Sequence, residues 1–269
     1  MMNVLDNTVY DAIRNLAYEK AGMAMGEGKQ ALVQARIGKR LRALNLDSPK
    51  EYLAYVKADA SGEELVQLLD VLSTNHTAFY RESRHFEIMT EIVKDWKVAG
   101  LRSMKLWCAA ASTGEEPYTH SIVLQEALGS TFDLKILSTD ISTRVLAACQ
   151  KGIYSNERIA AIPAILRQKW FSKHDEEAWK VSDALRRPMS FARLNLAETP
   201  YPMKGPFDII FCRNVMIYFD VAGRQKFVEQ AERLLKPGGY LFVGTSESLS
   251  GVKSHFKSIH PSVYRKEST

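Results

Sequence analysis

Cysteine is scarce in this sequence. Cys108, Cys149 and Cys212 are the only three in 269 residues. Odd in number and without C-x-x-C spacing, they argue against a disulfide framework and a zinc site, and read as small buried apolar groups. Long apolar runs are missing too: none approaches the roughly 18 residues of a membrane helix, so no direct membrane insertion is expected. The opening MMNVLDNTVYDAIRN carries acids where a secretory leader would carry basic residues and an apolar core, and the expected location is the cytoplasm. With 15 Gly and 9 Pro against 46% hydrophobic and 25% charged residues, collagenous, low-complexity and disordered classes are excluded. The length allows one large domain or two modest ones.

Neither sign of charge dominates: 36 Lys+Arg against 31 Asp+Glu leave +5. The excess is local. The segment KQALVQARIGKRLR carries Lys29, Arg36, Lys39, Arg40 and Arg42 with no acid. At about 100° per residue, Val33, Ile37, Leu41 and Leu44 form a core face and the cations a basic face, with Leu32 intruding on the basic arc.

Residues 1–72 show helical apolar spacing in three or four segments, broken at Gly22, Gly26, Gly28, Asp47-Ser48-Pro49 and Ser61-Gly62. A small helical bundle is expected. From Met104 the pattern changes to short apolar runs alternating with helical stretches: KLWCAA, EEPYTHSIVLQEAL, LKILSTD, FDIIFC, RQKFVEQAERLL and YLFVGTS. These indicate βαβ units and a parallel sheet. In LLKPGGYLF a helix is expected to end at Gly238-Gly239 and a strand to begin at once. Residues 152–193, including MSFARL, interrupt the alternation and read as a small inserted subdomain.

The first strand opens into A-A-A-S-T-G-E-E-P-Y, whose small residues let a ligand approach the backbone where a helix begins. Glu115 and Glu116 at that helix start would repel a phosphate, although acids there also complement the helix dipole. The next strand ends in Asp140, where an acid can accept from a ribose diol. A small-residue loop, two acids and a second-strand acid suggest S-adenosylmethionine, which carries an ammonium, a sulfonium and no phosphate. FDIIFCRNVMIYFD exposes Arg213 and Asn214 at the carboxyl end of a buried strand, where open α/β sheets bind ligands. LSTNHTAFYRESRHF places Asn75, Thr77 and Arg81 at the domain junction.

STNHTAFYRE, LWCAAASTGEEPY, STDIS, CRNVMIYFD and LLKPGGYLFVGTSESL, in this order, resemble the chemotaxis receptor methyltransferases, the CheR family. The resemblance covers nearly the whole chain; Tyr80 stands where many members carry a second Phe. It implies an α/β fold: a Rossmann-like class I S-adenosylmethionine-dependent methyltransferase domain at 104–269 with an inserted β subdomain at about 152–193. An all-α N-terminal domain at 1–74 and a linker at 75–103 would precede it. It further implies methylation of glutamate side chains on the cytoplasmic helices of methyl-accepting chemoreceptors, with S-adenosylhomocysteine as product and no metal. The matching cofactor-binding positions are Asn75, Thr77, Arg81, Glu116, Asp140, Asn195, Leu196, Arg213 and Asn214. Between Glu115 and Glu116 the motif leaves open which faces the ligand.

A glutamate with a pKa near 4.3 is already an anionic nucleophile at neutral pH, so no general base is required. Arg81 and Tyr218 are the candidates for aiming it, by a charge-assisted pair and a donated hydrogen bond. The basic face, with Arg36, Lys39, Arg40 and Arg42, is expected to dock on acidic receptor helices. The alternative is a nucleic-acid methyltransferase or a basic nucleic-acid-binding protein, resting on a pI of about 9.0. It lacks aromatic interleaving on the basic stretch, and no nucleic-acid partner is expected. A monomer is expected as well. The turn SKHDEEAWK has no glycine and three consecutive acids, whereas peptide-tethering members of the family carry a longer, glycine-bearing turn. No dependence on a C-terminal receptor pentapeptide tether is expected.

Overall fold

The computed structural model describes residues 5–26, 28–73, 77–129 and 131–267. Asn75 therefore lies outside the described residues. Four helices build the N-terminal part: α1 (Asn7–Ala21), α2 (Gln30–Leu44), α3 (Pro49–Ala58) and α4 (Glu63–Leu72). Local chemistry fixes their ends. Asp6 accepts from the Val9 N–H at 2.8 Å to cap α1, Gly22 closes it in the left-handed conformation, and Ser48 caps α3 ahead of Pro49. Val33, Ile37 and Leu41 face inward at 3% exposure or less and Leu32 is 46% exposed, matching the core face and the outlying Leu32 read from the sequence.

The basic face differs from that reading. Arg40 makes a two-pronged pair with Glu64 at 2.9 and 2.6 Å, and Tyr52 donates to the same carboxylate at 2.8 Å. A carboxylate buried to 6% exposure needs such partners, so Arg40 joins α2 to α4 inside the bundle. Arg36 donates to the Leu72 carbonyl at the end of α4. Lys39 and Arg42 remain exposed.

The chain then forms α5 (Arg84–Val98), β1 (Ser103–Cys108), α6 (Glu115–Leu128), β2 (Asp133–Asp140) and α7 (Thr143–Lys151). β3 (Ile153–Ser155), α8 (Asn156–Ile159), α9 (Ala164–Trp170), β4 (Phe171–Lys173), β5 (Ala178–Val181), α10 (Asp183–Arg186) and β6 (Met189–Arg193) follow. Last come β7 (Phe207–Cys212), a 3₁₀ turn at Met216–Tyr218, α11 (Val221–Leu234), β8 (Leu235–Val243), β9 (Phe256–His260) and β10 (Val263–Lys266). The large sheet has the order β6-β2-β1-β7-β8-β10-β9. Its first five strands are parallel and β10 runs antiparallel between β8 and β9. Helices cover both faces, so Leu106–Cys108 of β1 and Ile209–Cys212 of β7 read as continuous apolar runs. Cys108, Cys149 and Cys212 are buried thiols.

Two boundaries shift. MSFAR pairs with β2 from Ile136–Met189 to Asp140–Arg193, so it is the edge of the large sheet, and the antiparallel subdomain consists of β3-β5-β4 with its short helices. α11 ends at Leu234 and β8 starts at once, before Gly238-Gly239. Pro237 cannot donate within a helix, Leu235 pairs with Phe207, and the register shifts before Ile209 meets Tyr240; the glycines lie within this irregular strand start.

Candidate active site

A cleft enclosing about 1100 Å³ of space, its open mouth included, lies at the carboxyl ends of β1, β2 and β7. It has two sides. Ala109, Ala110, Ser112, Glu116, Asp140 and Asn214 come from the sheet, and Ala21, Met23, Leu69, Asp70 and Ser73 from the helical domain. Every described residue that the sequence assigned to the cofactor or to catalysis lines it: Thr77, Arg81, Glu116, Asp140, Asn195, Leu196, Arg213, Asn214 and Tyr218. The exposed Lys39 and Arg42 on α2, and the internally bonded Arg36 and Arg40, do not.

The loop after β1 follows from its sequence. Gly114 has φ +104, and a Cβ there would stand 2.5 Å from the Tyr154 hydroxyl and 2.6 Å from Cys149 Sγ, so no larger residue fits. The loop is buttressed by the inserted subdomain: Tyr154 donates to the Thr113 carbonyl at 2.8 Å and Arg158 to Glu115 at 2.8 Å. Glu115 is thus fully buried against its own cation, and Glu116 is the acid of the pair that reaches the cleft.

Glu116 meets Arg213, whose Nη1 donates to Oε2 at 2.7 Å. The Arg213 side chain is fully enclosed. Its Nη2 donates to the Arg81 carbonyl at 2.6 Å and its Nε to Glu82 Oε2 at 3.3 Å. Arg81, 3.9 Å from Glu82 Oε1, adds a second guanidinium, so two cations stand against the two carboxylates at the cleft wall. Burial pushes the Glu116 carboxyl up, with Arg213 opposing. Burial also acts on Glu82, but Arg213, Asn214 and the Thr245 N–H outweigh it and its carboxyl lies below the usual range. Tyr80 and Glu82, at φ +57 each, flank Arg81 in a conformation that costs non-glycine residues about 1–3 kcal/mol. Arg213 and Glu82 hold that junction in place.

Asp140 takes the Ser112 N–H on one oxygen at 2.9 Å and the Ser142 N–H on the other at 3.0 Å. Each oxygen keeps a lone pair for a hydroxyl in the cleft. Burial raises its carboxyl, with Asp70 adding to the shift and the Ser142, Ser112 and Ile141 N–H groups opposing it. Asn195 donates to the Lys20 carbonyl at 2.7 Å and to Glu198 at 2.8 Å, which joins the sheet side to the end of α1. The Ala24 N–H to the Tyr218 carbonyl at 2.7 Å, Tyr18 to Asp220 at 2.8 Å and Arg144 to Asp70 make the same connection.

Glu82, Glu247 and the helical-domain lining were not assigned from sequence. Glu82 stands inside the quoted TAFYRE and Glu247 inside GTSESL, but their partners lie 131 and 33 residues away for Arg213 and Asn214. Cys108, Glu116 and His120 offer ligand atoms within 4.8 Å of one another, the one such group among the described residues. Arg213 already sits on Glu116, and burial pushes the Cys108 thiol far up and the His120 imidazole far down.

Acids without a phosphate cradle, with Glu116 and Asp140 among the lining and small residues beside the backbone, fit S-adenosylmethionine. Two family models match the chain: CheR methyltransferase, all-alpha domain, over residues 8–73, and CheR methyltransferase, SAM binding domain, over residues 75–265. The chemotaxis protein methyltransferase of Salmonella typhimurium is 37% identical over 264 residues, 97% of this chain and 90% of that protein. Chemotaxis protein methyltransferase 2 of Pseudomonas aeruginosa is 36% identical over 260 residues, 95% and 91% of the two chains. The chemotaxis protein methyltransferase of Borreliella burgdorferi is 34% identical over 259 residues, 93% and 91%.

Proposed function

The chain belongs to the CheR methyltransferase family, and we propose on that premise that it esterifies glutamate side chains on the cytoplasmic helices of chemoreceptors. It is an S-adenosylmethionine-dependent protein methyltransferase of chemotaxis. The observation that carries the residue-level reading is the cleft in which Glu116, Asp140, Arg81 and Tyr218 converge between the sheet and the helical domain.

Bound S-adenosylmethionine supplies a methyl group on a positively charged sulfur. That methyl would be open to an acceptor carboxylate, giving a neutral ester and S-adenosylhomocysteine. No proton moves. Glu116, backed by Arg213, presents its charge to the cofactor's ammonium, and Asp140 accepts from the ribose. Thr77, Asn195, Leu196 and Asn214 complete the cofactor walls, and Asn75 belongs to the same motif. Arg81 grips the acceptor carboxylate while Tyr218 donates to one of its oxygens. Holding the reactants in line supplies about 7–11 kcal/mol in favourable cases.

Lys39 and Arg42 are the free part of the docking face for acidic receptor helices. The turn between β4 and β5, residues 174–177, is exposed and carries Asp175, Glu176 and Glu177. This supports direct docking without a C-terminal tether, since an acidic peptide would meet like charge there. The enzyme acts as a cytoplasmic monomer, with no nucleic acid as substrate.

Labelled cofactor incubated with receptor cytoplasmic fragments tests the reading. Base-labile label on the receptor and none on RNA or DNA is the expected result; base-stable label, or label on nucleic acid, overturns it.

A further inference from the structure

Glu247 lies in the loop after β8, 7% exposed. Its side chain accepts three backbone N–H groups: Gly244 at 2.6 Å and Asn214 at 2.8 Å on Oε2, and Ile217 at 3.1 Å on Oε1. Two of these donors belong to one turn. Asn214 starts it at φ +59, and bonds from the Tyr218 N–H to the Val215 carbonyl and from the Phe219 N–H to the Met216 carbonyl, each 3.0 Å, close it. Met216 is buried on the core side, while Asn214, Val215 and Tyr218 line the cleft.

The chain approaches Glu247 closely on its other side too. A Cβ on Gly244 would stand 2.7 Å from Asn214 Nδ2, 2.8 Å from Glu247 Oε2 and 3.0 Å from the Asn214 nitrogen, so a larger residue there would push on both side chains. The three donors leave no place for an amide. A glutamine would turn its NH₂ toward either the Ile217 N–H or the Asn214 and Gly244 pair, donor facing donor.

We propose that Glu247 is a positioning residue for methyl transfer, setting the attitude of Tyr218 in the cleft through the backbone N–H groups of Asn214 and Ile217. This rests on the reading that Tyr218 donates to the acceptor carboxylate. The Asn214 side chain has its own bond to Glu82 at 3.2 Å, so the cofactor wall survives loss of Glu247. The effect is therefore expected in kcat rather than in cofactor affinity.

The experiment compares Glu247→Gln, Glu247→Asp, Tyr218→Phe and the Gln/Phe double variant, measuring kcat and KM on a receptor fragment and S-adenosylhomocysteine affinity by calorimetry. Misplacement by about an ångström costs up to about a hundredfold, and Glu247→Gln is expected to lower kcat by about tenfold or more with cofactor affinity near wild type. Glu247→Asp, which keeps two acceptor oxygens, should recover part of the rate and serves if the Gln variant does not fold. In the Tyr218→Phe background the further loss from Glu247→Gln should nearly vanish. Equal losses in both backgrounds, or an unchanged kcat in a folded Glu247→Gln, overturn the proposal. A wild-type rate in Tyr218→Phe alone instead overturns the role of Tyr218 on which the proposal stands.

Discussion

Arg213 reaches Glu116 at 2.7 Å while its guanidinium is closed off from solvent. It is a post behind the cleft wall: its side chain donates to Glu116, Glu82 and the Arg81 carbonyl. Removing one partner of such a pair strands a buried charge and costs about 3–5 kcal/mol. Arg213→Ala should lose stability of that order in denaturant titration, and lose cofactor binding with it. A stable variant defective only in cofactor affinity would mean that Arg213 touches the ligand directly.

Asp140 is expected to act on the ligand as well as on the Ser112 and Ser142 N–H groups it accepts. Asp140→Ala should weaken S-adenosylhomocysteine binding by about 1–3 kcal/mol, as a polar ligand group loses its acceptor. Unchanged calorimetric affinity would remove the ribose contact from Asp140.

Acidity should reach the cleft early. Burial raises both Glu116 and Asp140, and the ligand needs both as anions. Affinity for S-adenosylhomocysteine should accordingly be full above the raised values and fall as pH drops through them, at a higher pH than exposed carboxylates would give. Glu116→Gln should bind less tightly at neutral pH and show a shallower acid dependence; an unaltered profile would place the titration elsewhere.

The helix α2 separates into two kinds of cation. Charge reversal at Lys39 and Arg42, exposed and outside the cleft, should reduce receptor methylation and its salt dependence and spare both stability and cofactor affinity. Arg40→Glu should destabilise the bundle, because it sets two carboxylates against each other beside Tyr52. Equal methylation by the Lys39/Arg42 reversal and the unaltered protein would place docking on another face.

Exhaustive chelation should leave methyl transfer unchanged, since displacement at a sulfonium needs no Lewis acid and Arg213 sits on the Glu116 carboxylate of the Cys108, Glu116 and His120 group. Loss of activity restored by a specific cation would show that group to be a metal centre.

Periodicity and turn chemistry revealed a bundle of three or four helices, the parallel strands and the cleft edge, because α1–α4 and β1, β2 and β7 carry their signals locally. MSFAR did not reveal its partner: five residues of mixed polarity suit either sheet, and pairing with β2 across about fifty residues leaves no local mark. The internal partners of Arg36 and Arg40 were hidden for a related reason. A helical wheel shows which residues share an arc, but not that the Leu72 carbonyl and the Glu64 carboxylate come to meet it. Glu82 and Glu247 stood in recognised motifs, yet their importance lies in the left-handed backbone at Tyr80, Glu82 and Asn214, which no spacing rule signals.

The cleft draws one side from the sheet and the other from the ends of α1 and α4. A ligand that binds only the assembled pair is linked thermodynamically to the folding of both halves. At a hundred times its dissociation constant it adds about 2.7 kcal/mol to the whole, and the helical domain shares in that gain. The four tryptophans, Trp96, Trp107, Trp170 and Trp179, all lie outside the bundle and report on its partner alone. Slower amide exchange in α1 and α4 on adding S-adenosylhomocysteine would carry the same information from the other side of the cleft.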